Sequence, residues 1–251
     1  MRHHSAGRNG SQGQVLRKEE ALRLSVQFTG RTAFLLTLIL FFPVHTSTAV
    51  AARGSVLSLG FDGTLGEEGI PRPWNIGLKE GRAGVGIVVE NGQRLLHLEC
   101  RESSFSVERN ISIDVSNAPY ISWTWKVLKA PSHGDVRKKN YNDQALQILV
   151  AFENRKVLSY VWDSNAPEGT VTDESLGWPF NLQIKVVVVK SGTADAGKWI
   201  THTRNLYEDY MHIFHEEPVP IKGVRIQTNT QHTKDVAEGY IKGISFGAAF
   251  P

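Results

Sequence analysis

The chain has 251 residues, 41% of them hydrophobic and 21% charged, enough length and apolar content for one sizeable core. Its formal charge of +3 sits at the N-terminus. Residues 1–51 hold six of the 28 Lys and Arg and two of the 25 Asp and Glu, which leaves 22 and 23, a net of −1, for the rest. A near-neutral body argues against a general electrostatic nucleic-acid binder, because such affinity comes largely from phosphate neutralisation. A single cysteine, Cys100, excludes an intramolecular disulfide. It falls in the alternating run Leu96, Leu98, Cys100 and reads as a small buried hydrophobe.

Taken in chain order, the first feature is the apolar run Ala33–Val44, AFLLTLILFFPV. About a dozen residues is too short to span a bilayer, which takes roughly 20. Arg31 precedes it and Ala49-Val50-Ala51 follows, so the run reads as a signal peptide with cleavage after Ala51. Residues 1–51 are thus an extension plus signal peptide, with no membrane span after cleavage, and 52–251 form one domain. The extension before the apolar run is overlong for a signal. Translation starting near Leu24 or Val26 accounts for it, as does a long tail ahead of a retained anchor.

From Ser55 onward, short alternating or β-branched runs are separated by Gly, Pro, Asn and Asp. The runs are Ser55–Phe61, Val85–Glu90, Arg94–Arg101, Tyr120–Leu128, Ala145–Glu153, Val157–Trp162, Leu182–Lys190, Val224–Asn229 and Tyr240–Phe246. Asn91-Gly92 marks a hairpin turn, and Asn154-Arg155-Lys156 a second tight connection. Ile121, Trp123, Trp125 and Val127 share one face, which predicts core packing for both tryptophans. Leu146, Ile148, Val150 and Phe152 share another. Val186–Val189 is apolar on both faces and predicts a central, doubly covered strand. One helix is expected, over Asn205–His215. Nine strands and one short helix predict an all-β fold, an antiparallel two-sheet sandwich of jelly-roll type.

Several segments together resemble the bacterial domain-of-unknown-function family 3047. They are Ile121–Val127, Asp135-Val136-Arg137 with Asn142-Asp143, Val150–Glu153, Ser159–Trp162, Val187–Gly192, Trp199, Asp209-Tyr210 and Gly239–Phe246. Their order and spacing agree from about Leu57 to Phe246. The resemblance implies an exported β-sandwich of the carbohydrate-binding-module type with no established activity. The chain departs from the pattern by losing carboxylates. Asn142 replaces one of an acidic pair, Thr228–Thr233 replaces an acid-rich loop, and Lys242 stands where an acid is usual. That weakens any shared metal or acid–base site.

Candidate ligand contacts fall in three places. Tyr160 and Trp162 share the face of Leu158 and lead into the polar Asp163-Ser164-Asn165, a setting for ring stacking on a sugar. Asp135, Arg137 and Asp143 flank the loop His133–Asn142, where a carboxylate beside a guanidinium can hold a hydroxyl-rich or anionic ligand. Arg225, Gln227 and Asn229 form a polar stripe on one strand face.

His202, His212 and His215 do not make a four-ligand zinc set, and Asp62 alone is too little for calcium, so no cofactor is expected. None of the familiar catalytic motifs occurs. The reading is a non-catalytic envelope domain that binds a polysaccharide or another hydroxyl-rich ligand, and not nucleic acid. Its contacts would be Arg137, Asp143, Tyr160, Trp162, Arg225 and Gln227. The alternatives are an envelope polysaccharide hydrolase or lyase working through Asp143, Asp209 and nearby Tyr or His, and a structural domain whose sheet face meets another protein.

Overall fold

The computed structural model describes residues 57–249 apart from 178. The expected signal peptide and cleavage point fall outside the described residues. Thirteen strands, one α-helix and a short 3-10 turn at Lys139–Tyr141 appear among them. The strands are β1 (Leu57–Leu59), β2 (Asn75–Glu80), β3 (Gly84–Glu90), β4 (Gln93–Arg101), β5 (Ser104–Ile113), β6 (Tyr120–Lys129) and β7 (Leu146–Phe152). The order continues with β8 (Lys156–Asp163), β9 (Val171–Asp173), β10 (Gln183–Ser191), β11 (Ile200–Asn205), helix α1 (Leu206–Phe214), β12 (Ile221–Asn229) and β13 (Val236–Gly247).

The strands form two sheets, a sandwich of jelly-roll type. The six-stranded sheet has the order β11-β6-β13-β4-β3, with β1 paired to the end of β13. The seven-stranded sheet has the order β2-β5-β12-β7-β8-β10-β9. Pairing is antiparallel throughout except between β8 and β10, which run parallel.

Local chemistry explains the hairpins. Asn91 and Gly92 take φ of 51° and 78°, the left-handed pair that a two-residue turn between twisted strands requires. Arg155 does the same, at φ 63°, between β7 and β8. The helix starts where Asn205 accepts a hydrogen bond from the Glu208 backbone N–H at 3.1 Å. It ends at His215, in the left-handed region.

The core lies between the sheets. Trp123 and Trp125 meet edge to face at 5.5 Å, and Trp123 stacks on Tyr160 at 5.2 Å. All three are essentially unexposed, as are Phe105, Phe152, Trp162 and Phe246. Burial of such side chains contributes about 1.5–3 kcal/mol each and dominates the stability of a sandwich without a disulfide. Cys100 is buried as expected.

Four strands escape the sequence patterns: β2, β5, β9 and β11. In β5 the alternation Phe105, Val107, Ile111, Ile113 is interrupted by Arg109, whose guanidinium lies over the Trp74 ring at 5.9 Å. In β11, an edge strand, His202 and Arg204 share the face of Ile200 and alternate with Thr201, Thr203 and Asn205, so the run reads as polar. Val186, Val187 and Val188 are buried on both faces, but β10 is next to the edge and not central.

Candidate functional site

One face of the seven-stranded sheet meets the core and the other points outward. Strand register gathers the outward residues into rows. One row runs from Asn75 through Glu108, Arg225, Leu149 and Ser159 to Val186. The next runs from Gly77 through Ser106, Gln227, Gln147 and Val161 to Val188. Both rows change character halfway. They are polar on β2, β5 and β12, and largely apolar on β8 and β10.

The apolar half is covered. Val136 and Ala166, from the connections before β7 and after β8, pack with Leu149, Val161, Val186 and Val188 in a second apolar cluster. In the polar half the Arg225 guanidinium lies against Glu108 Oε2, with Nε at 2.9 Å and Nη2 at 2.7 Å. These side chains are 15% and 16% exposed, so the pair is shielded but reachable.

Charged groups from the two edges of this face interact. At the usual strand spacing of roughly 4.8 Å, a flat seven-stranded sheet would hold its edges roughly 29 Å apart. Here Lys79, in edge strand β2, feels the charge of Glu174, just beyond the opposite edge strand β9. Burial pushes the Glu174 carboxyl up, opposed by the Asn142 hydrogen bond and by Lys79. Burial pulls the Lys79 ammonium down, and Glu174 is the strongest opposing charge.

A chain of amides stiffens the rim. Asn142 donates to Glu174 at 2.7 Å, Gln144 donates to Asn142 at 2.7 Å, and Gln147 donates to Gln144 at 3.0 Å and to Asn229 at 2.6 Å. Beneath it lies Asp143, with no exposed surface. Asp143 accepts from Asn229 Nδ2, from the backbone N–H of His232 and Thr233, and from the Thr233 hydroxyl, at 2.6–3.1 Å.

Four groups on this face lack protein hydrogen-bond partners among the described residues: the half-buried Lys79 ammonium and Gln227 amide, and the buried hydroxyls of Ser159 and of Thr172, which stands opposite Val186.

Of the six expected contacts, the structure brings Arg225 and Gln227 together on this face. The other four lie elsewhere. Tyr160 and Trp162 occupy the opposite face of β8, inside the core, with no exposed surface. The Tyr160 hydroxyl donates to Asp209 and the Trp162 indole donates to the Gly192 carbonyl at 2.8 Å. Neither ring has a face left for a sugar, which corrects the stacking role expected of them. Both faces of β8 are apolar, so alternation alone does not say which one meets the other sheet.

Asp143 is sealed under its own hydrogen bonds and is a structural anchor, which also corrects its expected role toward a ligand or a bond to be cleaved. Arg137 is exposed, but its guanidinium is taken by Asp135 at 2.8 Å on each carboxylate oxygen. That pairing holds the Asp135 carboxyl well below the usual range. Sequence reasoning missed Lys79, Glu108, Ser159 and Glu174. The alternation of Phe105 and Val107 carries a signal for Glu108, on the face opposite them.

No curated protein matches the chain. Solved structures with a similar arrangement of strands include the xyloglucanase domain of NopAA, a type three effector from Sinorhizobium fredii, in complex with cellobiose. It is 12% identical, with a TM-score of 0.45 over 69% of this chain and 92% of that one. A family 30 carbohydrate-binding module of a Clostridium thermocellum cellulase is 11% identical, with a TM-score of 0.44 over 78% and 99%. The CBM22-1 xylan-binding domain of Paenibacillus barcinonensis Xyn10C is 14% identical, with a TM-score of 0.35 over 80% and 99%. At these scores the likeness is one of general architecture. Residues 77–245 match the family described as protein of unknown function, DUF3047, and the chain belongs to that family.

Proposed function

We propose that the outer face of the seven-stranded sheet binds a hydroxyl-rich ligand, a stretch of polysaccharide, without cleaving it, and that the protein does this in the cell envelope. The carrying observation is a pair of polar groups on this face without protein partners, the Lys79 ammonium and the Gln227 amide, beside the Arg225–Glu108 pair. Buried and half-buried polar groups are normally hydrogen-bonded. Sugar hydroxyls donate and accept, so they complement an ammonium and an amide beside a charged pair. The envelope location rests on the apolar run Ala33–Val44 and the small residues after it.

A glycan array followed by titration calorimetry tests this reading. Gln227→Ala and Lys79→Met each remove a group that has no protein bond to lose. Each is expected to weaken binding about tenfold with the thermal midpoint unchanged. Absence of polysaccharide binding, or binding indifferent to both substitutions, would sink the proposal.

One observation favours a second reading, a polysaccharide hydrolase or lyase. This face carries two carboxyl groups in unlike settings: Glu108 lies against a guanidinium, and Glu174 is pushed up by burial. Unlike settings suit a proton donor and an ionised partner. Release of reducing ends, abolished by Glu174→Gln, would put that reading first.

A further inference from the structure

A different part of the molecule has an edge unpaired among the described residues. There, strand β3 pairs with β4 only and closes one side of the six-stranded sheet. An edge strand shows a row of unpaired N–H and C=O groups, and proteins commonly blunt it with charge, proline or a bulge. Here the strand reads Gly84-Val85-Gly86-Ile87-Val88-Val89-Glu90, with no proline, no shift in its register against β4, and a charge only at its end. Val88 and Val89 are 40% and 64% exposed.

The hairpin shows which groups point outward. The two-residue turn Asn91-Gly92 makes Glu90 and Gln93 a hydrogen-bonded pair. Antiparallel ladders alternate, so Gly84, Gly86, Val88 and Glu90 bond to β4. The N–H and C=O groups of Val85, Ile87 and Val89 therefore face away from the sheet.

Two glycines sit in this strand for different reasons. A side chain at Gly84 would meet the Glu99 carbonyl at 2.2 Å, so the monomer requires glycine there. A side chain at Gly86 would meet nothing within 4 Å, and Gly86 is not in the left-handed region. Within one copy nothing explains a residue that weakens a strand. A glycine inside a strand often marks the close approach of another backbone.

The strand is self-complementary about Gly86. Antiparallel pairing of two copies with Gly86 opposite Gly86 sets Val85 opposite Ile87, both with outward-facing groups, so they exchange hydrogen bonds across the two-fold axis. The same register sets Gly84 opposite Val88 and Arg82 opposite Glu90. Arg82 is exposed and makes no hydrogen bond or ion pair among the described residues. Glu90 is 44% exposed and only loosely paired, with Lys126 at 3.7 Å. The charges at the two ends are thus complementary between copies and largely unspent within one.

We infer that β3 is a homodimer edge, at which a second copy of this chain adds antiparallel across Gly86 and joins the two six-stranded sheets into one. Such a contact is isologous, with the same residues contributed from both sides. It is narrow beside the interfaces of permanent dimers, so association depends on concentration.

Sedimentation of the full chain across a range of concentrations tests the inference. The expected result is a monomer–dimer equilibrium. Arg82→Glu sets like charges opposite each other twice and raises the dimer dissociation constant about tenfold. Glu90→Arg alone does the same, and Arg82→Glu with Glu90→Arg restores it. Hydrogen exchange adds a readout of register: the amides of Val85, Ile87 and Val89 gain protection as concentration rises. A chain that stays monomeric at the highest concentration reached would overturn the inference. A dimer indifferent to the charge swap, with those amides unprotected, would do so equally.

Discussion

The Tyr160 hydroxyl donates to Asp209 Oδ2 at 2.7 Å, and Arg204 Nε donates to the same oxygen at 2.9 Å. Tyr160 stands in β8 of the seven-stranded sheet, whereas Asp209 lies on the helix that follows β11 of the other sheet. The bond therefore ties the two layers together. Hydrogen bonds to charged groups contribute more than neutral ones, so Tyr160→Phe should cost about 1.5 kcal/mol in urea unfolding. Arg204 still holds Asp209 in that variant, and ligand binding should be unchanged. A selective loss of binding with stability intact would return Tyr160 to the site.

Asp143 accepts from two backbone N–H groups and two side chains while fully buried. Asp143→Ala leaves the His232 and Thr233 backbone N–H groups without this acceptor and should cost about 3 kcal/mol or more by the same assay. Loss of binding in this variant would follow from the collapse of the amide chain, so stability must be measured beside it.

The Arg225–Glu108 pair should show coupling. Arg225→Ala leaves a shielded carboxylate without its cation and should cost about 2 kcal/mol. Adding Glu108→Ala should cost less than the two single changes together, with a coupling of about 1 kcal/mol in a double-mutant cycle. Strict additivity would mean that the two charges are independently solvated.

His202 stacks on Trp123 at 5.4 Å and meets Trp125 edge-on at 5.4 Å. Burial lowers its pKa from 6.5 to about 4. The folded chain keeps the ring neutral, while the unfolded chain takes up a proton below about 6.5. The unfolded state binds more protons between those values, so stability is fully present above pH 6.5 and falls as pH drops toward 4. After allowance for partial exposure, the loss between pH 7 and pH 4.5 should be about 1–2 kcal/mol. His202→Phe keeps a ring in place without a titration. Denaturation of both proteins at the two pH values should show a smaller drop for the variant, by that amount.

Much of the sandwich was legible in the sequence because its causes are local. The alternation of Ile121, Trp123, Trp125 and Val127 predicts one buried face, and all four are buried. Asn91-Gly92 predicts its turn through the backbone angles those residues accept, and Asn205 predicts the helix start through its capping oxygen. Arg225 and Gln227 were also legible as a polar stripe, because neighbours two apart on a strand share a face whatever the strand packs against.

What only tertiary structure decided is which face of a strand meets the core and which distant residues share a row. On β8, Tyr160 with Trp162 and Val157 with Val161 are equally apolar. Pairing sent the aromatic set between the sheets and left the valines under a loop-borne cluster. Glu108 and Arg225 are 117 residues apart and become neighbours through the β5–β12 ladder. Lys79 and Glu174, 95 residues apart, come from β2 and from the segment just after β9, at opposite edges of one sheet, and lie within each other's field. Period and turn chemistry act within a few residues, whereas a binding face on a sandwich is assembled by register and curvature, which no single segment encodes.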